Sequence, residues 1–467
     1  MKKIAFIVLA ILMSTMAFAQ GGETKTITLS DAERKLVEQN SDFAFNLFRK
    51  THDTKSQVIS PLSITYALGM LNNGADGITR DEICQVLSGG RQTEYADVAM
   101  MNAFCRKMLT ESAQLDKETR VAIANSIFFN GDRKNLSLKS AFKKAAETYY
   151  DATPSVLSFQ DAATVDIINQ WASDHTDGMI PDLLKPEDLM DPNLVSFLLN
   201  AICFKGTWRC PFDEQVTREQ PFNGKESTVM MMRQTEEFRY AENDLYQSVI
   251  LPYGNGAYQM TLFLPRNGKT LDDLLETMNG KNWNAADYQY NEVILSMPRI
   301  ETDTDQDLVD VMASLGMQNA FLKYNGYGFM DFCCFGDNEA DTDPCWISLM
   351  KQKAHLKLDE KGTEAAAVTV IGMADKAMPM TQYVEFTADR PFLYIISERS
   401  TGSIFFMGQF MGDTTTGIGD ALRLSHHERQ LKGKVYDLQG RQVNGLSSNR
   451  KGNKGLYIAD GKKVAVK

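Results

Sequence analysis

One segment of the chain combines residues that can enter a β-sheet with a loop that a protease can reach. Leu356 and Leu358 alternate with polar residues, which is the pattern of a half-buried strand. After Gly362 the side chains are small and, with the exception of one glutamate, uncharged. A strand of such residues fits a narrow gap between other strands, because each inward-pointing side chain takes little space. Fourteen residues after Gly362, Lys376 is followed by Ala377 in a stretch typical of an exposed loop that a protease cleaves.

Residues suited to catalysis form no recognisable site. None of the five histidines belongs to a nucleophile motif or to an HExxH-type metal site. The seven cysteines cannot all pair internally, and no two have the spacing of a zinc-binding CxxC motif. We expect most of them to be buried small apolar residues. The alternatives are a bridge from Cys333 or Cys334 to Cys345 and a redox-active Cys333–Cys334 pair. The sequence predicts neither a hydrolase nor a metalloenzyme, and no cofactor.

Three alternate aspartates imitate the start of a calcium-binding loop. They are Asp303, Asp305 and Asp307. Leu308 stands where such a loop requires glycine, and Ser314 stands where it requires a bidentate glutamate. We therefore interpret the aspartates as acidic residues that open a helix, where they would interact favourably with the helix dipole.

Charge and length indicate a globular protein with a separate basic end. The formal net charge of −11 argues against nucleic acid as a partner, because phosphate binding requires a basic face. Residues 421–467 contain 11 lysines and arginines and 3 acidic residues, a net charge of +8, so the remainder carries −19. This asymmetry predicts that the last segment is a unit of its own.

The N-terminus has the three parts of a secretory signal. Lys2 and Lys3 precede an apolar run over residues 4–13, and Ala17-Phe18-Ala19 follows. The run is too short to span a membrane, and no later segment is apolar enough to do so. We predict a signal peptide over residues 1–19 and an exported protein, extracellular or attached to the outer surface.

Hydrophobic periodicity predicts an α+β fold. Helical spacing is clear in residues 31–50, 61–71, 165–174 and 305–315, and strand-like alternation is clear in 121–129, 195–204, 247–251, 258–264, 292–297, 354–358 and 392–397. The strands come mostly late and form few βαβ units, which disfavours a doubly wound sheet. Residues 412–422 predict a flexible linker, and residues 423–467 predict a small β unit of two or three strands separated by glycine turns.

Motifs along most of the chain resemble the serpin family in family order. They are Ser41–Phe48, Val58–Ile64 with Ala67–Leu71, Asn169–Trp171 with Thr176–Gly178 and Asp182–Leu184, Asn200–Trp208 with Pro211-Phe212, the hinge-like segment after Asp359, Ala388–Tyr394 and Gly402–Gly408. The resemblance implies that residues 20–411 form a serpin domain, with helices around a large mixed main sheet A, smaller sheets B and C, and an exposed reactive-centre loop.

The resemblance also implies a monomeric suicide-substrate inhibitor of serine endopeptidases, with cysteine endopeptidases as a further option, rather than an enzyme. In such an inhibitor the protease forms an acyl-enzyme on the loop, and a hinge then inserts into the main sheet. The hinge (360–370) includes Glu360, Gly362, Thr363, Glu364, Ala365, Ala366, Ala367, Val368 and Thr369. Alternation would direct residues 363, 365, 367 and 369 toward the core, and all four are small and uncharged.

Family spacing from Gly362 implies that the reactive bond is Lys376–Ala377. A lysine at this position suits a trypsin-like or other Lys-directed protease. Met373 and Met378 keep elastase-like or subtilisin-like enzymes open as targets. A non-inhibitory serpin-fold binding protein is the alternative function. We expect Thr363→Arg to leave the fold intact and to convert the inhibitor into a substrate.

Further positions match the family less closely. Glu360 and Arg299 resemble the ion pair where the hinge enters the sheet, with Trp208 in the same region. Ser60, Ser63 and Asn200 resemble the polar cluster beneath the sheet, and Gln352 stands where many members have histidine. A basic cluster of Arg133, Lys134, Lys139, Lys143 and Lys144 is interpreted as a solvated helix face rather than a site for a polyanion.

The C-terminal β unit has its own resemblance. Its glycine-separated strands resemble the sorting domain of cargo of the type IX secretion system of Bacteroidetes. The alternative is a β-hairpin that decorates the serpin domain.

Overall fold

The computed structural model describes residues 25–90, 97–133, 136–191, 194–224, 228–322, 333–335, 346–363 and 383–412, together with four short strands after residue 434. The predicted signal peptide, the hinge from Glu364 onward, the Lys376–Ala377 bond, both alternative methionines and Cys345 lie outside the described residues. The chain divides into two units, residues 1–413 and 414–467.

Eight α-helices lie in the described part of the first unit. They are α1 (Asp31–Thr51), α2 (Pro61–Asn72), α3 (Gly77–Leu87), α4 (Val98–Ser112), α5 (Ser140–Tyr150), α6 (Ala163–His175), α7 (Leu271–Thr277) and α8 (Val309–Leu315). Helix α1 begins with a capping box in which Ser30 and Glu33 each hydrogen-bond the backbone of the other. All twelve residues of α2 are buried, so this helix has no solvent face. A helix that is buried all round lies in the centre of the core.

The main sheet has six strands in the order β11-β13-β14-β5-β2-β4. Their bounds are β2 (Arg120–Asn130), β4 (Ser155–Leu157), β5 (Ser196–Thr207), β11 (Ile300–Asp307), β13 (Leu349–Asp359) and β14 (Gly362–Thr363). The pairing of β13 with β5 is parallel, and the pairing of β2 with β5 is antiparallel, so the sheet is mixed.

A second sheet has nine strands in the order β1-β17-β16-β9-β8-β7-β10-β15, with β6 also paired to β7. The bounds are β1 (Gln57–Ile59), β6 (Arg218–Pro221), β7 (Thr228–Glu242), β8 (Tyr246–Pro252), β9 (Tyr258–Pro265), β10 (Gln289–Pro298), β15 (Val384–Thr387), β16 (Phe392–Glu398) and β17 (Ile404–Phe410). Strand β7 has 15 residues: its first four pair with β6, its last four pair with β8, and residues 231–240 pair with β10. The two smaller sheets B and C that the family resemblance implies are therefore parts of one continuous sheet. Strands β3 (Leu136–Leu138) and β12 (Cys333–Phe335) form a separate pair.

The two faces of the main sheet belong to different cores. The face that packs on α2, which we call the inner face, carries Leu198, Ile202, Leu356 and other residues of the large cluster shared with the nine-stranded sheet. The opposite face, which we call the outer face, carries Phe197, Leu199 and Ala201 beneath α6. Because side chains alternate along a strand, even-numbered residues of β5 and β13 point inward and odd-numbered residues point outward.

The interpretation of the three aspartates as a helix start is wrong. They lie on the edge strand β11, and helix α8 begins at Val309 rather than Asp305. Asp303 accepts a hydrogen bond from His355 (2.6 Å), and this bond lowers the pKa of the Asp303 carboxyl. In β11 the aspartates alternate with Thr and Gln, which is the pattern of a strand with one solvated face. The periodicity of the sequence did not distinguish this strand from the start of a helix.

The structure describes the side chains of four cysteines. Among the cysteines whose side chains the structure describes, Cys105 and Cys203 are buried, Cys84 and Cys210 are half-buried, and none of the four is in a disulfide. No helix in the described part of the chain is long and apolar enough to cross a bilayer.

The second unit contains one antiparallel sheet of four strands in the order β19-β18-β20-β21. The strands are β18 (Val435–Asp437), β19 (Gln442–Val443), β20 (Gly455–Ala459) and β21 (Lys462–Val466). The sheet has four strands where two or three were predicted, because segments 433–443 and 455–466 each contain two short strands.

Candidate functional site

The central feature of the main sheet is a gap that closes part-way along its length. Strands β13 and β5 pair directly over residues 349–355 and 197–203. Beyond that point they separate, and β14 lies between them. We call the space between residues 356–359 of β13 and 204–207 of β5 the opening. Gly362 and Thr363 already occupy the end of the opening nearest Asp359 and Thr207. The chain therefore enters the sheet before any cleavage.

Only glycine fits the first of these two positions. Gly362 has a φ of 142°, which L side chains rarely adopt, and a Cβ there would lie 2.1 Å from the carbonyl oxygen of Gly206. Gly206 is itself the register partner of Thr363 on β5. The close approach of these backbones explains why the small-residue run begins at Gly362.

Thr363 is completely buried on the inner face. Its hydroxyl lies 2.8 Å from the hydroxyl of Tyr253, whose ring stacks on Trp208 with 4.3 Å between centroids. Burial raises the pKa of Tyr253 far above its usual range, so the phenol stays neutral and can share this bond. Sequence reasoning assigned Thr363 to the hinge but missed Tyr253, which no local motif connects to it. Because Thr363 is buried between Leu358 and Gly206, arginine at this position is expected to leave the sheet, and the expectation that Thr363→Arg keeps the fold intact stays a prediction.

An ion pair holds the turn that leads into β14. The carboxylate of Glu360, only 3% exposed, accepts bonds from Arg299 Nε (2.9 Å) and Nη2 (2.6 Å) and from the Thr217 hydroxyl (2.6 Å). Burial raises the pKa of Glu360, but the hydrogen bonds from Arg299 and Thr217 outweigh burial, and the net pKa is lowered. The structure thus brings together the two residues that the family resemblance paired, and adds Thr217.

Trp208, the residue that follows β5, anchors the same turn. Its indole Nε1 donates to the carbonyl oxygen of Asp359 (3.0 Å), and its backbone N–H donates to Lys361 (2.8 Å). The N–H of Phe212 donates to the carbonyl oxygen of Glu360 (2.8 Å). Every residue from 359 to 361 is therefore bound to the segment that follows β5, which fixes where the chain enters the opening.

A buried polar cluster lies where β13 and β5 are still paired. Gln352 and Asn200 are register partners, and Gln352 Nε2 donates to Asn200 Oδ1 (2.7 Å). Asn200 Nδ2 donates to Asn125 Oδ1 (2.6 Å) and to the Ser63 hydroxyl. Gln352 also exchanges two bonds with the backbone of Ser60 (3.1 and 3.2 Å). Gln352 thus links α2 and both central strands, and Asn125 is a member that sequence reasoning missed.

Two lysines on the outer face of β13 bind the connection from α6 to β5. Lys351 lies 3.4 Å from Asp188 and 3.1 Å from Asp305, and Lys353 lies 2.6 Å from Asp182. Helix α6 itself packs on β5 and β2. This part of the chain therefore spans the line along which β13 and β5 would separate, and we call the two lysines and their aspartates the clamp.

Comparison with known proteins identifies this architecture. The family model described as "Serpin (serine protease inhibitor)" matches residues 38–412, which is most of the chain. The chain belongs to the serpin family. Serpin B6 of Macaca fascicularis is 31% identical over 389 residues, covering 80% of this chain and 98% of that protein. Human neuroserpin is 29% identical, covering 79% and 89%.

Solved serpin structures agree with this assignment. The thermophilic serpin tengpin in its native state has a TM-score of 0.73 and 25% identity, covering 83% of this chain and 96% of that chain. Human thyroxine-binding globulin, solved with its ligand, has a TM-score of 0.70 and 27% identity, covering 81% and 98%. Family membership confirms the predicted serpin fold and supports a function of the protease-inhibitor type. Members of the family are mostly inhibitors rather than catalysts.

Proposed function

We propose that this serpin is a single-use inhibitor whose reactive loop is cleaved at Lys376–Ala377 and whose hinge then continues the insertion that Gly362 and Thr363 begin. The observation that carries the proposal is strand β14, which lies between β13 and β5 in an antiparallel register with both. Continued along the chain, this register would give each following residue a defined place between the two strands.

Continuing that register places small hinge residues against tight inner positions. Thr363 pairs with Leu358 and Gly206, so residue 365 would follow between Leu356 and Phe204. Residue 367 would come between Ala354 and Ile202. All four flanking residues are at most 1% exposed. Alanine at 365 and 367 is therefore what the space beneath a newly inserted strand permits.

Residue 369 would arrive at the Gln352–Asn200 pair. Insertion there separates the two amides, which leaves a buried donor and a buried acceptor in need of new partners. An unpaired buried polar group costs about 1–3 kcal/mol. Thr369 brings a hydroxyl that both donates and accepts, so it can bond to both amides from the position between them.

The energies are of the right order. Slowing deacylation by about a million-fold requires roughly 8 kcal/mol. A dozen inserted residues form a comparable number of backbone hydrogen bonds, at about 1 kcal/mol each. Ordering the loop and breaking the clamp offset part of this gain. The insertion is therefore feasible only when each inserted residue fits, as the register above requires.

The partner class follows from the residue before the bond. Lys376 suits proteases with an acidic specificity pocket, so trypsin-like or other Lys-directed enzymes are the proposed targets.

The N-terminal signal and the basic β unit after residue 420 support export to the outside of the cell or to its outer surface. We assign the β unit, by its resemblance, the role of a type IX sorting signal.

Incubation of the full chain with trypsin tests the proposal. The expected result is an SDS-resistant complex near the summed mass, with the cut mapped by mass spectrometry after Lys376. Lys361→Ala serves as a matched control, because it removes a nearby lysine that lies before β14, and it should still form the complex. Clean cleavage with full recovery of trypsin activity would contradict inhibition and favour a non-inhibitory binding protein.

A further inference from the structure

We propose that Lys205 and Lys357 form a receptor for a carboxylate on the outer face of the opening, and that its ligand is the side chain of Glu364, the first hinge residue beyond the described part of β14. This inference rests on the proposed function, since the receptor is filled only when the hinge inserts. It gives the single charged residue of the small-residue run a role.

The register places the receptor. Thr363 pairs with Leu358 on one side and with Gly206 on the other. In an antiparallel strand the next residue pairs one position back on each neighbour, which is Lys357 on β13 and Lys205 on β5. Because Thr363 points inward, residue 364 would point outward, and so do both odd-numbered lysines. Neighbouring strands are about 4.8 Å apart, which is within reach of two lysine side chains.

The charges at this level of the sheet are incomplete without an anion. Arg120 of β2 is the register partner of Lys205, so two cations are directly opposed, which is unfavourable in an antiparallel pair. Arg120 is neutralised by Asp177 at 2.8 Å. Lys205 has no ion pair with any residue that the structure describes. The other lysine, Lys357, reaches its neighbour Glu301 only at 3.9 Å.

A carboxylate between the two lysines places an anion between the cations of β5 and β13. From β2 to β11, the row of side chains across the sheet would contain Arg120, Lys205, the inserted acid, Lys357 and Glu301. The row also fixes register. A slip by two residues, the smallest that keeps the small side chains inward, would move the carboxylate from Lys205 and Lys357 to Cys203 and His355. The receptor therefore favours the one register in which residue 369 meets the Gln352–Asn200 pair.

The test compares the uncleaved protein with protein cleaved in its loop. A metalloendopeptidase makes the cleaved form without an acyl-enzyme, and mass spectrometry selects cuts between residues 372 and 382. Guanidinium unfolding is then measured for the wild type, Lys205→Gln, Glu364→Gln and the double variant. Each single variant should raise the equilibrium constant for unfolding of the cleaved form by about two- to fivefold, the range of a cross-strand ion pair. The double variant should lose little more, because both changes remove the same pair.

The uncleaved forms supply the internal control. Neither single variant should change the unfolding of uncleaved protein, and 1 M salt should abolish the difference in the cleaved form. Lys269→Gln, on the exposed connection between β9 and α7, is the matched lysine control and should leave both forms unchanged. Additive losses, or equal effects in both forms, would overturn the receptor. If the wild type gains no stability on cleavage, the proposed function fails instead, since no strand has inserted.

Discussion

Replacing Thr363 by arginine tests whether the native sheet already holds the start of the hinge. The side chain is completely buried, bonded to Tyr253 and enclosed by Leu358 and Gly206. A charged guanidinium has no carboxylate partner in this space, and burying an unpaired charge costs several kcal/mol. The variant is therefore expected to expel residue 363 from the opening rather than bury the arginine.

The loss of stability follows from what expulsion breaks. The hydroxyl–hydroxyl bond and the strand pairing of Thr363 contribute roughly 2–3 kcal/mol at about 1 kcal/mol per bond. Tyr253 then keeps a buried hydroxyl without a partner, which costs about 1–3 kcal/mol. Freeing one backbone residue returns about 1–2 kcal/mol. We expect the free energy of unfolding of the uncleaved protein to decrease by about 2–4 kcal/mol, without loss of the fold.

Two assays measure the consequence. Urea unfolding reports the loss of stability, and gel analysis with trypsin should show cleavage at an unchanged rate but no covalent complex, because the first step of insertion is blocked. Thr363→Ser keeps the hydroxyl and should behave almost as the wild type in both assays. A Thr363→Arg protein of unchanged stability would refute the burial argument, and one that still traps trypsin would refute the role of residue 363 in insertion.

Three other predictions concern the surroundings of the opening. Arg299→Ala leaves the Glu360 carboxylate buried with one partner fewer. Because Arg299 is itself 42% exposed, we expect a loss of about 1–3 kcal/mol at pH 7 by urea unfolding. Since the pKa of Glu360 is lowered, its contribution in the wild type is present above its usual value of 4.5 and is lost as the pH falls through the lowered pKa, so the two proteins should converge in acid; a constant difference down to pH 3 would contradict this. Lys351→Met removes the bridge from β13 to Asp188 and should accelerate insertion severalfold, measured as the rate of complex formation; an unchanged rate would exclude the clamp as a barrier. Lys376→Met should abolish the trypsin complex while leaving urea unfolding unchanged, and a persistent complex would move the reactive bond to another residue.

The sequence predicts the framework of the fold because its strongest patterns are local. Helix α2 and strand β5 were located to within a few residues, since long apolar runs bounded by a cap or a turn have few alternative structures. Helices α3, α4 and α7 were missed because their apolar faces are short or interrupted by polar residues. The edge strand β11 was mistaken in part for helix, as its solvated half carries acids at a spacing that also suits a helix start.

The site was predictable only where a family motif links distant residues. Glu360 and Arg299 are 61 positions apart, and no local periodicity connects them. Tyr253, which bonds to Thr363 across 110 positions, belongs to no motif and was not found. The clamp was missed for the same reason, because Asp182 and Asp188 meet their lysines only after α6 has folded across the sheet.

The positions of these groups would impose an order on the proposed insertion. The opening is held apart by Gly362 and Thr363, so residues 364 and 365 need only fill space that already lies between β13 and β5. From residue 366 onward each step must break a pairing of β13 with β5, beginning at His355 and Cys203. Residue 368 would reach the level of Lys353 of the clamp, residue 369 would meet the Gln352–Asn200 bond, and residue 370 would reach the level of Lys351. Each new barrier is therefore met only after earlier residues have formed their strand pairs on both sides, so the energy gained by the first half of the hinge opens the sheet for the second.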